Sequence, residues 1–355
     1  MSSPSTVNVM IASPLEDKYI QAIAAIDPRV RVLHRPDLHG RIRFASDHDG
    51  EPFTRTSAQQ AEWEAMLAEA EVLWDFDRRN PTDFPRRAPR LKLIYACSSG
   101  VTSWLRRSGL AETPIRLCNA AGIHRIPMTE WAMAAMLHFA KGVATLQANQ
   151  RRHLWQRFTA RELHGATLGL LGMGAAAADM ARRARQFGMR ILLHRRRPDA
   201  PLPPGVEVDA VYPRERLREM LAQSDYLLIM VPDSPETERM IGAAELAALP
   251  GHAVIVNLGR GTVIDEAAMI AALGAGRLGG AALDVFEKEP LPADSPLWDM
   301  ANVLISPHNI SQSDLENDRQ VERFGEIMRC YLDGRPLPYE VDKRAGYNPA
   351  GSLSA

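Results

Sequence analysis

Cysteine is scarce in this chain. Three occur, Cys97, Cys118 and Cys330, and they stand far apart. With no Cys-x-x-Cys pair and no metal-ligand spacing, they indicate neither a disulfide framework nor a metal site, and they fit a reducing, cytoplasmic compartment. An excess of either charge is also missing. The 42 Lys and Arg against 43 Asp and Glu leave a net charge of −1, which supplies no field to gather nucleic acid or anionic lipid. Long apolar runs are absent too. The longest, Met128 to Leu146, is broken by Glu130, His138 and Lys141, so it reads as an amphipathic helix and not a membrane span. The opening MSSPSTVNVMIASP has no basic region and no long apolar core, so no secretory signal is expected.

What is present is an ordinary globular composition, 46% hydrophobic and 24% charged over 355 residues. That length suggests two domains or one large α/β unit. Short apolar runs at Val7–Ala12, Val30–Leu33, Val72–Trp74, Leu91–Ala96 and Ile115–Asn119 predict strands. Helical spacing falls at Leu15–Ile26, after a capping-box-like Ser57-Ala58-Gln59-Gln60, and from Pro127 to Ala140. Between Pro36 and Ser57 lies a polar stretch holding His39, Asp47, His48 and Asp49, with His34 just before it. Its spacing fits no metal template, so it reads as a solvated loop or insertion. From Leu168 onward strands and helices alternate strictly: Leu168–Leu171, Arg190–His194, Tyr226–Val231, Ala253–Asn257, Gly280–Asp284 and Val303–Ile305 are strands. Alternation at this spacing means a parallel sheet with right-handed crossovers. The first half alternates more loosely, so two α/β domains are expected. A helix from Asp314 to Leu332 follows, and Ala345–Ala355 is expected to be disordered.

The stretch Gly172-Met173-Gly174-Ala175-Ala176-Ala177 follows an apolar strand and opens a helix. This is the order of a dinucleotide fingerprint: a glycine for the turn, one for phosphate approach, and a small residue for helix packing. Taken alone it fits an ordinary strand-turn-helix corner equally well. Ligands of such sheets sit at the carboxyl ends of the strands, and those ends carry chemistry. Arg195-Arg196-Arg197 stands where an acid for the ribose 2′-hydroxyl is usual. Arginines suit a 2′-phosphate, so NADP(H) is favoured over NAD(H). A solvated basic turn, or Asp199 folding back, is the alternative. Arg260 between Gly259 and Gly261, Glu289 after Asp284-Val285-Phe286, and His308 after Ser306-Pro307 all follow consecutive strands. Each has a bland alternative, a surface charge or a hydrogen-bonded histidine. The glycines beside Arg260 suggest a backbone that approaches a ligand. After Leu91–Ala96, Cys97-Ser98-Ser99-Gly100-Val101 offers backbone N–H groups able to hold a carboxylate.

In its motifs the chain resembles the D-isomer-specific 2-hydroxyacid dehydrogenase family, from about Leu91 to Asp342. The carriers are Asn119-Ala120-Ala121-Gly122-Ile123-His124 with Thr129-Glu130-Trp131, the fingerprint, Val231-Pro232 with Pro235-Glu236-Thr237, Asn257-Leu258-Gly259-Arg260-Gly261, Asp284 through Leu291, and Ser306-Pro307-His308. The resemblance implies two Rossmann-like or flavodoxin-like α/β domains with parallel sheets. The cofactor domain, residues 120–307, is inserted into a substrate domain of residues 1–119 and 308–355. A homodimer built on the cofactor domains is implied, with the helix after Glu130-Trp131 near its interface.

The implied reaction interconverts a 2-oxo acid and a D-2-hydroxy acid with a nicotinamide cofactor. Arg260, Glu289 and His308 match the catalytic positions. Gly172, Gly174, Ala175, Ala176, Arg195, Arg196, Val231, Pro232, Thr237, Leu258, Gly259, Asp284, Arg260 and His308 are the expected cofactor contacts. Ser99, Gly100, Val101 and Arg260 are the expected substrate contacts, with no metal and no partner beyond the small acid and a second copy. Trp74, Phe76 and Trp131 are candidates for a pocket wall, or plain core aromatics. The sequence departs from the family at Ala177, at Arg195, and after His308, where Asn309-Ile310-Ser311 replaces a glycine-containing run. A non-enzymatic NAD(P)-sensing or corepressor-type protein on the same fold is the alternative, against which the retained Arg260, Glu289 and His308 argue.

Overall fold

A computed structural model describes residues 6–80, 82–346 and 348. The chain divides into two compact units, Met1–His124 with Gln312–Ala355, and Arg125–Ser311. Among the described residues no helix is long and apolar enough to cross a membrane.

The first unit holds β1 (Val7–Ile11), β2 (Val30–Leu33), β3 (Val72–Trp74), β4 (Leu93–Ala96) and β5 (Arg116–Asn119), in the order β2-β1-β3-β4-β5. All pairings are parallel, so every carboxyl end opens on one edge. The sheet is covered on both faces, as a parallel sheet requires. Val9, Ile11, Trp74 and Tyr95 pack on Phe324, Ile327 and Met328 of the helix Glu316–Leu332. The alternate residues Met10, Leu73 and Ile94 pack on Trp63 and Leu67 of the helix Ser57–Glu69. The cap of that helix is Thr56, one residue before the expected Ser57. The Gln59 N–H donates to Thr56 Oγ1, and the Thr56 N–H donates to Gln59 Oε1.

Packing decides between the two readings left open for Trp74 and Phe76. Trp74 is no pocket wall: it is fully buried, 5.2 Å edge-on to Phe324 and 5.4 Å from Tyr95 between ring centroids. Phe76 is buried as well, stacked on Trp104 at 4.7 Å. The polar stretch 36–57 is a largely exposed loop, as read from the sequence, but part of it turns inward. Leu38, His39, Ser46, Asp47 and His48 are buried within it. Asp47 organises it, accepting from Arg43 and from the N–H groups of Asp49 and Gly50. Of the expected disordered tail, Asn348 hydrogen-bonds the Tyr339 carbonyl at 2.8 Å. Residues 347 and 349–355 lie outside the described residues.

The second unit holds β6 (Thr167–Leu171), β7 (Arg190–His194), β8 (Ala210–Tyr212), β9 (Tyr226–Ile229), β10 (Val254–Asn257), β11 (Gly280–Leu283) and β12 (Val303–Ile305). Their order is β12-β11-β10-β9-β6-β7-β8, again all parallel. Strand order reverses at β6, between β9 and β7, so the crevice for a ligand opens at the end of β6. The sequence does not announce β8, three residues paired on one side only. Trp131 is half-buried and packs on this unit's core.

Candidate active site

Gly172 turns the chain off β6 at φ +96, a conformation that side chains other than glycine rarely take. Gly174 then starts the helix Ala175–Gln186 in extended conformation, with no side-chain cap. The first-turn N–H groups, Ala175 and Ala176 among them, therefore have no partner within the helix and point outward with its positive dipole end. A Cβ on Gly174 would meet nothing within 4 Å, so the approach is clear. Ala177 is buried behind them and lets helix and strand pack closely. These residues fit the pyrophosphate of a dinucleotide.

One strand over, the three arginines differ. The Arg195 guanidinium donates to the carbonyls of Pro198, Ala200 and Pro201, so it braces its own loop. Arg196 is exposed and pairs with Glu236 at 3.2 Å. Arg197 is exposed. Thr237 ties the loop after β9, donating to the Pro232 carbonyl at 2.7 Å and accepting from the Ser234 N–H at 3.0 Å.

After β10, buried Asn257 clamps the next loop. Its Nδ2 donates to the Arg260 carbonyl, and its Oδ1 accepts from the Gly259 N–H, both at 3.1 Å. The two glycines there are also needed for packing. A Cβ on Gly261 would fall 1.9 Å from the Phe286 backbone, and one on Gly259 2.8 Å from the Val231 carbonyl. They let this loop seat against its neighbours, which fixes where Arg260 starts. Leu258 is buried beside them.

His308 and Glu289 meet here. His308 Nδ1 lies 2.7 Å from Glu289 Oε2, and Glu289 Oε1 accepts from the Phe286 N–H at 3.1 Å. With Nδ1 donating to the carboxylate, Nε2 is left for another partner. The Glu289 hydrogen bond raises the imidazole pKa above its ordinary value, against the pull of partial burial. Burial opposes ionisation of Glu289, yet the His308 contact, the Phe286 N–H and the Arg260 charge outweigh it and hold the carboxyl below its usual range. His308 sits at φ +53, uncommon for a residue with a side chain.

Asp284 holds that turn. It is buried, and its Oδ1 accepts from Ser306 Oγ at 2.6 Å, the Asn309 N–H at 3.0 Å and the Ile310 N–H at 3.3 Å. Burial raises its pKa despite these donors. Asn309, where the sequence departs from the family run, brings its side chain within 2.9 Å of the same Ser306 hydroxyl. Ser306 and Asn309 are thus site-building residues that sequence reasoning passed over.

Ser99, Gly100 and Val101 belong to the first unit, at the end of β4. Ser99 Oγ donates to the Ala120 carbonyl at 3.0 Å and lies 3.2 Å from His124 Nδ1. Asn119 Nδ2 donates to the Ser99 carbonyl at 2.8 Å. Beneath them His124 Nε2 is 3.1 Å from buried Glu316 Oε1, and His48 Nε2 approaches the same oxygen at 3.7 Å. His124 stood in a quoted motif without a role. Nothing in the spacing pointed to Glu316.

A reversed parallel sheet with a phosphate cradle at the reversal, and an arginine and a carboxylate-backed histidine two and four strands along, defines a nicotinamide-dependent dehydrogenase. Comparison with known proteins places it more narrowly. Residues 133–309 match the family model described as D-isomer specific 2-hydroxyacid dehydrogenase, NAD binding domain. A glyoxylate/hydroxypyruvate reductase B of Yersinia pestis is 34% identical over 281 residues, 77% of this chain and 83% of that protein. The D-isomer specific 2-hydroxyacid dehydrogenase of Xanthobacter autotrophicus, solved with NADPH and MES, superposes with a TM-score of 0.75 at 30% identity, covering 97% of this chain and all of that one. An NADPH-dependent glyoxylate/hydroxypyruvate reductase of Sinorhizobium meliloti, solved with NADP and sulfate, gives 0.75 at 27% identity over 96% and all. The chain belongs to the D-isomer-specific 2-hydroxyacid dehydrogenase family, and is an NAD(P)-dependent oxidoreductase acting on 2-oxo and 2-hydroxy acids.

Proposed function

We propose that this protein reduces a small 2-oxo acid to its D-2-hydroxy acid, with NADPH preferred over NADH. The carrying observation is the His308–Glu289 pair at 2.7 Å with the Arg260 charge beside it. The nicotinamide, when bound, supplies the hydride. His308 Nε2 donates a proton to the 2-oxo oxygen during reduction and takes it back during oxidation. Glu289 fixes the ring and favours its charged form. Arg260 holds the substrate carboxylate and stabilises negative charge as it develops on the 2-oxo oxygen. In the first unit, the Ser99, Gly100 and Val101 backbone is our candidate cradle for a substrate carboxylate. Asp284 acts through the turn that presents His308, and Val231, Pro232, Thr237 and Leu258 line the cofactor.

Gly172, Gly174, Ala175 and Ala176 take the pyrophosphate and Arg196 the 2′-phosphate, on a loop braced by Arg195. NADP-bound relatives support the preference. The relatives named glyoxylate/hydroxypyruvate reductases suggest those two acids as first substrates. A homodimer is supported by exposed Leu146, Leu154, Trp155 and Phe158 along one segment of the second unit, and sedimentation velocity tests it. Cytoplasmic residence is supported by three free, buried cysteines, and fractionation of the source cells tests it. The test of function is a steady-state assay of glyoxylate and hydroxypyruvate reduction with each cofactor. Turnover above background with NADPH supports the reading, and no turnover on any 2-oxo acid refutes it. Equal efficiency with NADH refutes the cofactor assignment alone.

A further inference from the structure

The stretch 36–57 has no part in the function proposed above, yet it builds something. With Ala12 and Pro14 after β1, and Asp77, Arg78 and Arg79 after β3, its residues line a cavity of about 520 Å³. The cavity belongs wholly to the first unit. Its carboxylates, and the Asp47 that organises its wall, are already answered by arginine. Asp47 pairs with Arg43 at 2.7 Å, Asp49 with Arg78 at 2.5 Å, Asp77 with Arg87 at 2.7 Å, and Glu51 with Arg41 at 4.0 Å.

Two lining arginines are left over. Among the described residues, neither Arg55 nor Arg79 has a carboxylate within 4.0 Å. Arg55 is half-buried, with its guanidinium 3.5 Å from the Trp63 ring centre and its Nε donating to the Leu38 carbonyl. Burial and the neighbouring arginine charges pull its pKa down to about 10, so it stays cationic at neutral pH. Arg79 is exposed, 5.2 Å from the Phe53 ring. Two histidines on the wall, each more than nine-tenths buried, lack hydrogen bonds: His39 at Nε2 and His48 at both ring nitrogens. Burial is the main reason His39 falls to about 3 and is neutral. Unpaired planar cations and buried imidazoles facing a cavity are suited to an anion with several acceptor oxygens.

The cavity also lies beside the expected cradle for the substrate carboxylate. β1, β3 and β4 are adjacent and parallel, so the loops after them share one sheet edge with Ser99-Gly100-Val101. A line of contacts joins the two: His48 on the cavity wall to Glu316, Glu316 to His124, and His124 to Ser99. Arg78 adds a second link, donating to Asp75, which accepts from the Cys97 N–H. We infer that the preferred 2-oxo acid carries a second anionic group, a carboxylate or a phosphate, seated in this cavity by Arg55 and Arg79. This inference rests on the reading of Ser99–Val101 as the cradle of the first carboxylate.

The test uses the full chain with NADPH. Oxaloacetate, 2-oxoglutarate and 2-oxoadipate are each compared with the neutral analogue bearing isopropyl in place of the distal carboxylate. Phosphohydroxypyruvate is compared with hydroxypyruvate, and glyoxylate, which has no tail, serves as reference. The readout is the ratio of kcat/KM within each pair. In at least one pair the anionic member is expected to lead by roughly tenfold to a hundredfold, the range of a charge-assisted hydrogen bond. The winning pair decides between carboxylate and phosphate. Arg79→Gln and Arg55→Lys should collapse that ratio, whereas Arg86→Gln, an exposed arginine paired with Asp83 outside the cavity lining, should preserve it. Ratios near one in every pair, with glyoxylate still reduced, overturn the inference and leave the functional reading standing. An equal collapse in Arg86→Gln overturns it too, since general surface charge then suffices. No reduction of any acid, glyoxylate included, overturns the functional reading and this inference with it.

Discussion

The two units each contain a glutamate hydrogen-bonded to a histidine, and the pairs differ mainly in their access to water. In the second unit, Glu289 and His308 side chains keep 35% and 48% of their surface exposed. In the first, Glu316 and His124 keep 5% and 10%. The exposed pair leaves His308 Nε2 open, so a proton on that ring can be handed on. In the buried pair Glu316 Oε1 also faces His48 and Gln320, and the other His124 nitrogen lies against Ser99. There the same two side chains tie the loop after β4 to the helix Glu316–Leu332. Residue type alone assigns the two pairs the same role, and burial with the second partner separates them.

Removing each histidine is the strongest way to break this comparison. His308→Gln is expected to lower kcat for 2-oxo acid reduction by roughly a hundredfold to ten-thousandfold, the range for a lost general acid. His124→Gln should raise KM through the Ser99 loop and leave the shape of the pH profile unaltered. Similar losses of kcat in both variants, with matching profiles, would erase the distinction.

Stability supplies the next contrast. Burial alone would raise the Glu316 pKa, but the His124 hydrogen bond and the nearby His48 ring overcome it and bring it to about 2 from the ordinary 4.5. A folded-state value below the unfolded one stabilises the protein above the unfolded value. That contribution is lost as pH falls from about 4.5 toward 2. Glu316→Gln should therefore lower stability at pH 7 by about 1–3 kcal/mol and flatten the acid limb of thermal melts taken against pH. An unchanged acid limb would mean that the pair does not titrate with folding.

For the exposed pair, pH acts on rate. The Glu289 hydrogen bond raises the His308 pKa. With His308 as the proposed proton donor, kcat/KM for reduction should be flat at low pH and fall as pH rises through that pKa. Oxidation should show the opposite slope. Glu289→Gln should move both limbs toward acid. Coincident profiles in wild type and variant would show that Glu289 does not tune His308.

How far the sequence could be read follows from the same contrast. A parallel sheet brings every strand's carboxyl end to one edge, so Arg260, Glu289 and His308 were legible as a group from their place after successive strands. The fingerprint at Gly172–Ala177 was legible because its turn and small residues follow from backbone sterics. The pair of His124 and Glu316 was not, since the two residues stand 192 positions apart and no spacing links them. Nor was the purpose of Gly259 and Gly261, which depends on how closely Val231 and Phe286 approach. The stretch 36–57 was legible as a loop but not in its buried part, where His39, Ser46, Asp47 and His48 turn inward. Polarity by itself predicts a solvated loop. β8 escaped because three residues on a sheet edge carry too little pattern.

The smallest expected effect concerns the cofactor, and it separates two adjacent arginines. Arg195 is committed to carbonyls of its own loop, whereas Arg196 pairs with exposed Glu236. Replacing a brace disturbs whatever the loop touches, so Arg195→Ala should weaken NADPH and NADH together. Replacing a phosphate contact should weaken NADPH alone. The site is open and screened by salt, and Glu236 competes for the same guanidinium, so Arg196→Ala should raise the NADPH Kd by only about threefold to tenfold. Glu236→Gln removes the competitor and should tighten NADPH slightly while leaving NADH unmoved. Fluorescence titration of both cofactors against the three variants reads all of this at once. If Arg196→Ala weakens NADH as much as NADPH, Arg196 is a second brace and does not hold the 2′-phosphate.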